Sequence, residues 1–478
     1  MTSTKTRRLV WFRNDLRVSD NTALHAACDA GGDVIGVFAI TPGQWNDHDW
    51  GDRKVAFVLR HVHALRESLG GKNIPLKILD LDTFADVPGA LAAMADELDV
   101  SEVYFNEEYE LNERKRDENV EDRLESGGVS VHRFHDQVVL EPGSVQTNEG
   151  KTYTVYSPFS RKWAQVLGGR GGWEPRGTPA KRDAIDVKCD EVPTEVAGFD
   201  LSQLDEDLWP IGERAAMGRL QAFCRHRIDD YHEARDIPSI DGTSSLSAYL
   251  AAGVLGPRQC LHAAVEANGG TLSVKGDGAA GWINELVWRE FYKHITAAFP
   301  RVCKHENFKQ QYDAVEWRDD DDGFEAWCAG RTGYPIVDAA MRQLNQTGWM
   351  HNRLRMIAAM FLTKHLLIDW RRGERYFMQQ LVDGDFASNN GGWQWSASTG
   401  TDAQPYFRVF NPWTQSAKFD GDGTFIKRHV EELRQLSAGD LHDPVKLGKS
   451  DAEDHGYPAP IVDHKPARER AIEAFKGL

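Results

Sequence analysis

The sequence predicts an α/β amino-terminal domain, built on a doubly wound parallel sheet, followed by an all-α carboxy-terminal domain. Short apolar runs alternate with amphipathic stretches as far as residue 135, whereas helical periodicity dominates from about residue 206. The length of 478 residues is also too great for one core, because single cores stop growing at roughly 250–300 residues. We therefore expect domains at 1–135 and 206–478, joined by a connector at 136–205.

Five apolar runs in the first domain predict β-strands, and the stretches between them predict helices. The strands are expected at 9–12, 34–40, 74–79, 102–105 and 129–134, and the helices near 20–30, 52–70, 86–98 and 112–126. Because strand–helix alternation requires right-handed crossovers, the sheet should be mostly parallel with helices on both faces, as in Rossmann-like domains. The first strand-to-helix turn has no G-x-G-x-x-G pattern, so a nicotinamide dinucleotide site of the usual kind is not expected there.

The connector and the helical domain have different signatures. Residues 136–205 contain five prolines and a glycine cluster at 168–172, and they show no sustained periodicity. In the helical part, Pro335 and Gly348 stand at the expected start and stop of one helix. The next segment, 350–367, has apolar residues at i, i+4, i+7 and i+11, which predicts a second amphipathic helix.

Composition describes a cytoplasmic globular protein. No apolar run approaches the ~18 residues that span a bilayer, and the amino terminus MTSTKTRRLV has no apolar signal core. The six cysteines are scattered without a C-x-x-C pair, which favours reduced thiols over disulfides or a zinc site, and no metal is expected. A net charge of −17 argues against a non-specific nucleic-acid binder, yet it leaves room for a local basic surface.

The segment 383–412 carries the most information about function. It reads DGDFASNNGGWQWSASTGTDAQPYFRVFNP, with paired Asn, paired Gly and two Trp one residue apart. Each glycine would weaken a helix by about 1 kcal/mol, so we expect a loop that brings backbone, amides and indoles against a flat polar ligand.

Two further clusters leave alternatives open. The hydroxyl-rich TSSLS at 243–247 precedes an apolar helix expected at 248–255, and it can either cap that helix or help to bind a phosphate. In MHNRLRM, at 350–356, the two arginines can meet DNA phosphate or the carboxylates Asp383 and Asp385, and an internal Arg–Asp pair is expected for one of them.

One predicted helix, 282–294, combines several ligand-type side chains. Glu285, Trp288, Arg289 and Tyr292 share one face at i, i+3, i+4 and i+7, a mixture that a surface helix seldom exposes without a ligand. Nine of the fifteen tryptophans lie between residues 282 and 413. They can fill a large helical core, stack on a ligand or carry electrons, and the sequence leaves all three readings open.

The chain resembles the photolyase/cryptochrome family. The resemblance rests on WFRNDLR (11–17), DGTSSLS (241–247), NELVWREFY (284–292), TGYPIVDAAMRQLNQTGWMHNRLRM (332–356), LIDWRRGERYF (367–377) and DFASNNGGWQWSASTGTDAQPYFRVFNP (385–412). It runs essentially end to end and is closest to bacterial class I cyclobutane pyrimidine dimer photolyases with a folate antenna. It implies a monomeric carbon–carbon lyase that repairs such dimers in double- or single-stranded UV-damaged DNA. Excited reduced FAD would give an electron to the flipped-out dimer.

The resemblance also implies site residues. For FAD they are Tyr231, Thr243, Ser244, Ser245, Leu246, Ser247, Trp282, Arg355, Asp383, Gly384, Asp385 and Asn389. For the dimer and DNA they are Arg235, Glu285, Trp288, Arg289, Asn352, Arg353, Met356, Trp395 and Gln415. The residues implied in catalysis and electron transfer are Glu285, Asn389, Trp393, Trp370 and Trp317. A 5,10-methenyltetrahydrofolate antenna would contact His48, Asn112, Glu113, Cys303 and Lys304.

Two rival functions are a cryptochrome-like blue-light photoreceptor and a dark flavoprotein oxidoreductase. Plant cryptochromes usually have Asp, and insect ones Cys, where this chain has Asn389, which favours repair. The chain ends about 66 residues after Pro412 without the long tail of many photoreceptors. Photolyases for the 6-4 photoproduct place a histidine near Asn352 and Met356, so this chain is expected to act on the cyclobutane dimer. The oxidoreductase would need a hydride-donor site that no motif indicates.

Overall fold

The computed structural model describes residues 6–450 and 452–478, which form two compact units. The first unit contains residues 6–228 and 244–300, and the second contains 229–243 and 301–478. The chain therefore passes between the units three times. The expected boundaries near residues 135 and 206 remain a prediction about functional domains.

A five-stranded sheet lies at the centre of the first unit. Its strands are β1 (Arg7–Phe12), β2 (Asp33–Ile40), β3 (Leu76–Asp80), β4 (Val100–Asn106) and β5 (Ser130–Phe134). All four pairings are parallel, in the order β3-β2-β1-β4-β5. Leu9 of β1 stands opposite Ile35 on one side and Val103 on the other, and all three are wholly buried. The prediction of a doubly wound parallel sheet is confirmed.

Ten α-helices surround or follow this sheet in the described part of the first unit. They are Thr22–Asp29, Pro42–Asp47, Asp52–Gly70, Val87–Glu97, Leu111–Ser126, Tyr156–Arg170, Glu213–His226, Ser247–Ala251, Pro257–Ala267 and Ala279–Ala298, with a 3-10 turn at Leu201–Gln203. The short helix Pro42–Asp47 was not expected. The helix Tyr156–Arg170 lies inside the expected connector, which is thus not irregular throughout. It forms because Tyr156, Phe159, Trp163 and Leu167 are all buried along one face, and Pro158 sits harmlessly in its first turn.

The second unit contains helices and no strand among its described residues, which confirms an all-α carboxy-terminal part. Its α-helices are Tyr231–Ala234, Asp321–Cys328, Pro335–Thr347, Asn352–Met360, Trp370–Gln380, Phe386–Ala397, Pro412–Phe419, Thr424–His429, Ala438–Leu441, Pro444–Leu447 and His464–Phe475. A π-helical turn spans Phe361–Leu366, and 3-10 turns span Val302–Lys304, Gln310–Ala314 and Glu431–Leu433. As expected, Pro335 opens one helix, and Gly348 ends it with a φ of 69°. Across the described ranges, no helix is long and apolar enough to cross a membrane.

Candidate functional site

A cavity of about 150 Å³ lies within the second unit. Three helices line it, and we name them the Asn352 helix (Asn352–Met360), the Trp370 helix (Trp370–Gln380) and the Asn389 helix (Phe386–Ala397). The lining residues are Asn352, Arg355, Met356, Ala359, Phe377, Leu381, Asp383, Asp385, Ser388, Asn389, Gly392, Trp393 and Ser396. Seven of the residues singled out from the sequence thus share one cavity, although they span more than forty positions of the chain.

The Asn389 helix replaces part of the loop expected over 383–412, so that prediction is wrong for residues 386–397, whereas residues 398–411 contain no helix or strand. Asp385 caps the amino terminus by accepting a hydrogen bond from the Ser388 backbone N–H at 2.9 Å. At the other end Ser398 takes a left-handed conformation with a φ of 74°. These caps and the buried Trp393 offset a glycine cost of about 1 kcal/mol per residue. Gly392 lines the cavity, and a Cβ there would meet no atom within 4 Å.

The two arginines of the Asn352 helix are both paired inside the protein. Arg355 donates to both carboxylate oxygens of Asp383, at 2.7 and 3.0 Å, and its Nε donates to the Met350 carbonyl. Arg353 pairs with Asp236 through two nitrogens, with Nε 3.2 Å from one carboxylate oxygen and Nη2 2.8 Å from the other. The expectation of an internal Arg–Asp pair is confirmed for Arg355, and Arg353 has such a pair as well.

Asn389 is held in a fixed orientation. Its Nδ2 donates to the Glu374 backbone carbonyl at 3.0 Å, while the neighbouring Asn390 donates to the Glu374 carboxylate at 2.8 Å. Because the amide nitrogen of Asn389 is used in this way, its Oδ1 is left to accept a hydrogen bond from a ligand. Asn389 therefore offers the cavity an oriented, uncharged acceptor.

The three tryptophans of the expected electron-transfer triad differ in exposure. Trp393 and Trp370 are buried in the core of the second unit, whereas Trp317 is half-buried beside Phe475, with ring centroids 5.9 Å apart. The Trp370 indole donates to Asn307 Oδ1 at 2.9 Å. Trp393 lines the cavity, and its buried Nε1 has no acceptor among the described residues.

Gly373 allows the Trp393 indole to lie directly on the Trp370 helix. A Cβ at Gly373 would overlap the Trp393 ring and come 2.6 Å from Leu362 Cδ2. We expect Gly373→Ala to lower the free energy of unfolding by about 1–3 kcal/mol, because an overpacked core must shift. Chemical denaturation of the purified protein measures the change.

Gly392→Ala is the matched control for this prediction. It adds the same methyl group to a helical glycine, but here the methyl group meets nothing. The unfolding free energy should stay equal or rise by up to about 1 kcal/mol through helix propensity. Equal stability of the two variants would contradict the packing role of Gly373.

The helix Ala279–Ala298, the Glu285 helix below, places the expected acid, indole and guanidinium in the first unit. Glu285, Trp288 and Arg289 are all half-buried. The Trp288 ring stacks on Tyr156, with centroids 3.5 Å apart and planes 7° apart. Arg289 donates to the Gln137 carbonyl at 2.6 Å and to the Leu250 carbonyl at 3.4 Å. The Arg289 guanidinium is therefore partly engaged within the protein.

The hydroxyl-rich segment does not cap a long helix. The helix after it spans only Ser247–Ala251, its N-cap position is Leu246, and no side chain forms a cap hydrogen bond. It stops before Leu255 because Gly253 turns the chain with a φ of 65° against the backbone of Asn14, where a Cβ would overlap. The expected extent of 248–255 is wrong, and simple capping does not explain the hydroxyls.

The remaining expected residues are distributed between the units. In the first unit Trp282 is buried against Phe223, with centroids 5.0 Å apart. In the second unit Tyr231 is buried with the Arg235 guanidinium 5.3 Å from its ring, and Trp395 and Gln415 are half-buried. No group of three or more His, Cys, Asp or Glu among residues 6–450 and 452–478 is arranged to hold a metal ion.

Three of the expected antenna residues form one cluster in the first unit. His48 Nδ1 lies 3.3 Å from the Glu113 carboxyl, and His48 Nε2 lies 3.1 Å from Asn112 Nδ2. Burial, reinforced by Glu110 and Glu108, raises the pKa of Glu113 to about 8, and burial beside Lys54 lowers the pKa of His48. Burial thus disfavours the charged form of both groups in this cluster. Cys303 and Lys304 belong to the second unit, in the turn Val302–Lys304.

Comparison with known proteins gives two family models and several relatives. The model described as DNA photolyase matches residues 8–180, and the model described as FAD binding domain of DNA photolyase matches residues 282–477. The deoxyribodipyrimidine photo-lyase of Salmonella typhimurium strain LT2 is 46% identical, over 98% of this chain and 98% of its own.

Two solved structures share the fold. A bacterial class III photolyase from Agrobacterium tumefaciens is 38% identical with a TM-score of 0.88, over 99% of this chain and 98% of that chain. A cryptochrome from Synechocystis sp. PCC6803 is 26% identical with a TM-score of 0.83, over 99% of this chain and all of that chain. Because a photolyase and a cryptochrome both superpose, the fold alone does not separate repair from light sensing.

Proposed function

The chain belongs to the DNA photolyase family, and we propose that it uses light to split cyclobutane pyrimidine dimers in UV-damaged DNA. The observation that carries the proposal is the cavity of the second unit, which joins the Arg355–Asp383 pair and Asn389 to Asn352 and Met356. The 46% identity to a deoxyribodipyrimidine photo-lyase supports the same reaction. Light-dependent loss of dimers from a defined oligonucleotide tests it.

The cavity residues fit FAD, whose binding-domain model covers this part of the chain. The fit rests on the unsatisfied Trp393 N–H, the free acceptor of Asn389 and the open space over Gly392. When bound and reduced, FAD supplies an excited-state electron for the dimer. We assign Arg355, Asp383 and Asp385 to holding it, with Asn389 beside the ring system.

Asn389 favours repair over photoreception. Its amide can hydrogen-bond a reduced, anionic ring system without adding a second negative charge. The contact with the Glu374 carbonyl keeps the amide oxygen available and prevents the side chain from rotating away. An aspartate at this position, as in the plant photoreceptors, could add that second negative charge, and a cysteine, as in the insect ones, has no amide to offer the ring system.

The proposed dimer contacts are side chains that retain solvent access. Trp288, Trp395 and Met356 are half-buried and Asn352 is exposed, so each can meet a nucleotide extruded from the duplex. We assign the two indoles to packing against the dimer and Glu285 to a hydrogen bond that stabilises charge developing on it.

We assign Arg235, Arg289, Arg353 and Gln415 to DNA backbone contacts. Two of these arginines already have internal partners, so only their remaining N–H groups can reach phosphate. A guanidinium has five N–H donors. Arg353 uses Nε and Nη2 for Asp236, and its Nη1 makes a long contact of 3.9 Å with Met356 Sδ, so a phosphate would have to share or replace that contact. The internal partners would then fix the direction in which each arginine points.

Trp393, Trp370 and Trp317 are proposed to carry electrons from the protein surface to oxidised flavin. Trp317→Phe should slow photoreduction of oxidised FAD at least about tenfold, because phenylalanine is much harder to oxidise than tryptophan. Repair by enzyme reduced beforehand should be unchanged. Absorbance spectroscopy under blue light with an external thiol follows the reduction.

The half-buried Trp173 of the first unit provides the control. Trp173→Phe removes an indole that packs near His262, outside the proposed route, and should leave photoreduction unchanged. Normal photoreduction in Trp317→Phe would refute the route.

The cluster of His48, Asn112 and Glu113 supports a 5,10-methenyltetrahydrofolate antenna, because it brings an imidazole, an amide and a carboxyl together as contacts for the polar groups of a pterin. Asn112, Cys303 and Lys304 are proposed as further contacts.

Glu113→Ala should abolish near-UV absorbance of the folate in protein reconstituted with it, while FAD absorbance stays unchanged. His262→Ala, an imidazole change on the helix Pro257–Ala267, should retain both bands; retention of the folate band in Glu113→Ala would refute the assignment.

We also propose that the protein is monomeric and cytoplasmic. All six cysteines are free thiols, which agrees with a reducing compartment. Light scattering of the purified protein should give a mass near 53.7 kDa. A larger mass at micromolar concentration would contradict the monomer.

A further inference from the structure

We propose that Tyr156 is a positioning residue that orients the indole of Trp288 before the damaged nucleotide arrives. The inference rests on the proposed function, because it concerns the side chain assigned to pack against the dimer. Nothing in the sequence motifs points to Tyr156, which lies in the segment expected to be a connector.

The stacking geometry is the first observation. The rings of Tyr156 and Trp288 are nearly parallel, 7° apart, with centroids separated by only 3.5 Å. Tyr156 is buried, with 5% of its surface exposed, whereas Trp288 is half-buried. One face of the indole is therefore covered by Tyr156, and the rings of Phe291 and Tyr292 each lie 5.8 Å from it at 84° and 34°. A base can then stack only on the face opposite Tyr156.

The second observation is that Tyr156 itself cannot move freely. Its hydroxyl lies 2.7 Å from both the backbone carbonyl and the Oδ1 of Asn284, so the O–H always has an acceptor. Its ring also meets Phe291 edge-on at 5.7 Å. Tyr156 is thus fixed to the Glu285 helix at two points, and this holds the Tyr156 ring in place against Trp288.

The Tyr156 hydroxyl is linked to the Glu285 carboxylate through Asn284. Asn284 precedes Glu285, and its Nδ2 lies 3.5 Å from Glu285 Oε1, a long contact. Tyr156 therefore supports the indole directly, and its link to the Glu285 carboxylate runs through a contact at the limit of hydrogen-bond distance, which we expect to contribute little to dimer binding. Replacing the hydroxyl and replacing the ring should have separable effects.

Orientation before binding has a thermodynamic consequence. A half-exposed indole without the stack would sample several rotamers, and binding would have to select one of them. Holding the bound rotamer in advance removes that cost from the binding free energy. Losing an aromatic partner of this kind should weaken dimer binding roughly three- to tenfold.

The test compares Tyr156→Leu, Tyr156→Phe and Trp288→Ala in the FAD-loaded full chain. Affinity is measured for an oligonucleotide with one thymine dimer and for the same oligonucleotide undamaged. Tyr156→Leu should weaken dimer binding by about three- to tenfold and leave undamaged binding unchanged. Tyr156→Phe, which keeps the stack, should bind the dimer within about twofold of the parent.

A double-mutant cycle separates positioning from general packing. If Tyr156 acts through Trp288, then adding Tyr156→Leu to Trp288→Ala should weaken dimer binding no further. A role in the fold alone would weaken binding equally in both backgrounds and would overturn the proposal. So would full dimer affinity in Tyr156→Leu. If that variant does not fold, Tyr156→Met is measured on the same terms.

Failure of this inference is distinguishable from failure of the proposed function. Loss of binding in Trp288→Ala with full binding in Tyr156→Leu rejects the role of Tyr156 alone. Full dimer affinity in Trp288→Ala rejects the stacking role of Trp288, and with it the premise of the inference.

Discussion

Asp383→Asn is expected to remove most bound FAD and to lower the free energy of unfolding by roughly 3 kcal/mol. Asp383 is buried, and it holds Arg355 through two hydrogen bonds at 2.7 and 3.0 Å. The amide keeps the shape but removes the charge, so the Arg355 guanidinium is left without its counter-ion at the cavity wall. We use the low end of the range for broken buried pairs, because the Arg355 side chain is 26% exposed.

Absorbance of the flavin in purified protein and denaturant titration measure the two effects. Asp236→Asn is the matched control, since it breaks the neighbouring Arg–Asp pair, that of Arg353, at a carboxylate that is 33% exposed and does not line the cavity. It should retain FAD. If Asp383→Asn kept both its flavin and its stability, the proposed anchoring role would be wrong.

Trp288→Ala is expected to weaken binding of dimer-containing DNA by about 10- to 100-fold, since stacking of a base on an aromatic side chain contributes roughly 1–3 kcal/mol. The indole is half-buried and already stacked on one face by Tyr156, so it is a ready surface for a second ring. FAD occupancy should not change, because Trp288 is assigned to substrate and not to cofactor.

Titration of labelled oligonucleotides, with and without a dimer, measures the loss. Trp288→Phe retains an aromatic face and should recover most of the affinity. An unchanged affinity in Trp288→Ala would show that the base does not stack there.

The fold could be predicted from the sequence wherever the buried residues form a simple pattern of apolar side chains. The three central strands were located because they contain continuous apolar runs, such as Leu9–Phe12, buried on both faces of a parallel sheet. The edge strands Leu76–Asp80 and Ser130–Phe134 are only partly buried, and their mixed sequences give a weaker signal. The helix Pro335–Thr347 was delimited by its proline and glycine, whose backbone preferences act locally. By contrast, the division into compact units depends on distant contacts, which local patterns do not encode.

The candidate site could be predicted from the sequence only in part. An internal Arg–Asp pair was anticipated because the two arginines and two acids needed partners, but the residues alone did not say which arginine would form it; the structure pairs Arg355 with Asp383. The helical state of residues 386–397 was missed, because the glycine pair was weighed by propensity and the caps at Asp385 and Ser398 were not. Asp385 three residues before Ser388 was the available signal, since such spacing is typical of a helix N-cap.

Some contacts could not have been found in this way. Tyr156 meets Trp288 across 132 positions of sequence, and only the packed structure brings the two rings together. The fit of the Trp393 indole over Gly373 is similarly a property of two helices packed side by side. Its one local trace is a glycine inside an otherwise amphipathic helix, which often marks close packing.

The central claim is tested most directly by mixing the purified protein, with FAD fully reduced, with an oligonucleotide that contains one thymine dimer. Parallel samples are exposed to blue or near-UV light or kept in darkness, and the remaining dimer is quantified. Our account predicts that the dimer disappears only in the illuminated sample, with unmodified thymines as the product. Equal amounts of dimer in light and darkness would contradict it and would favour the photoreceptor alternative.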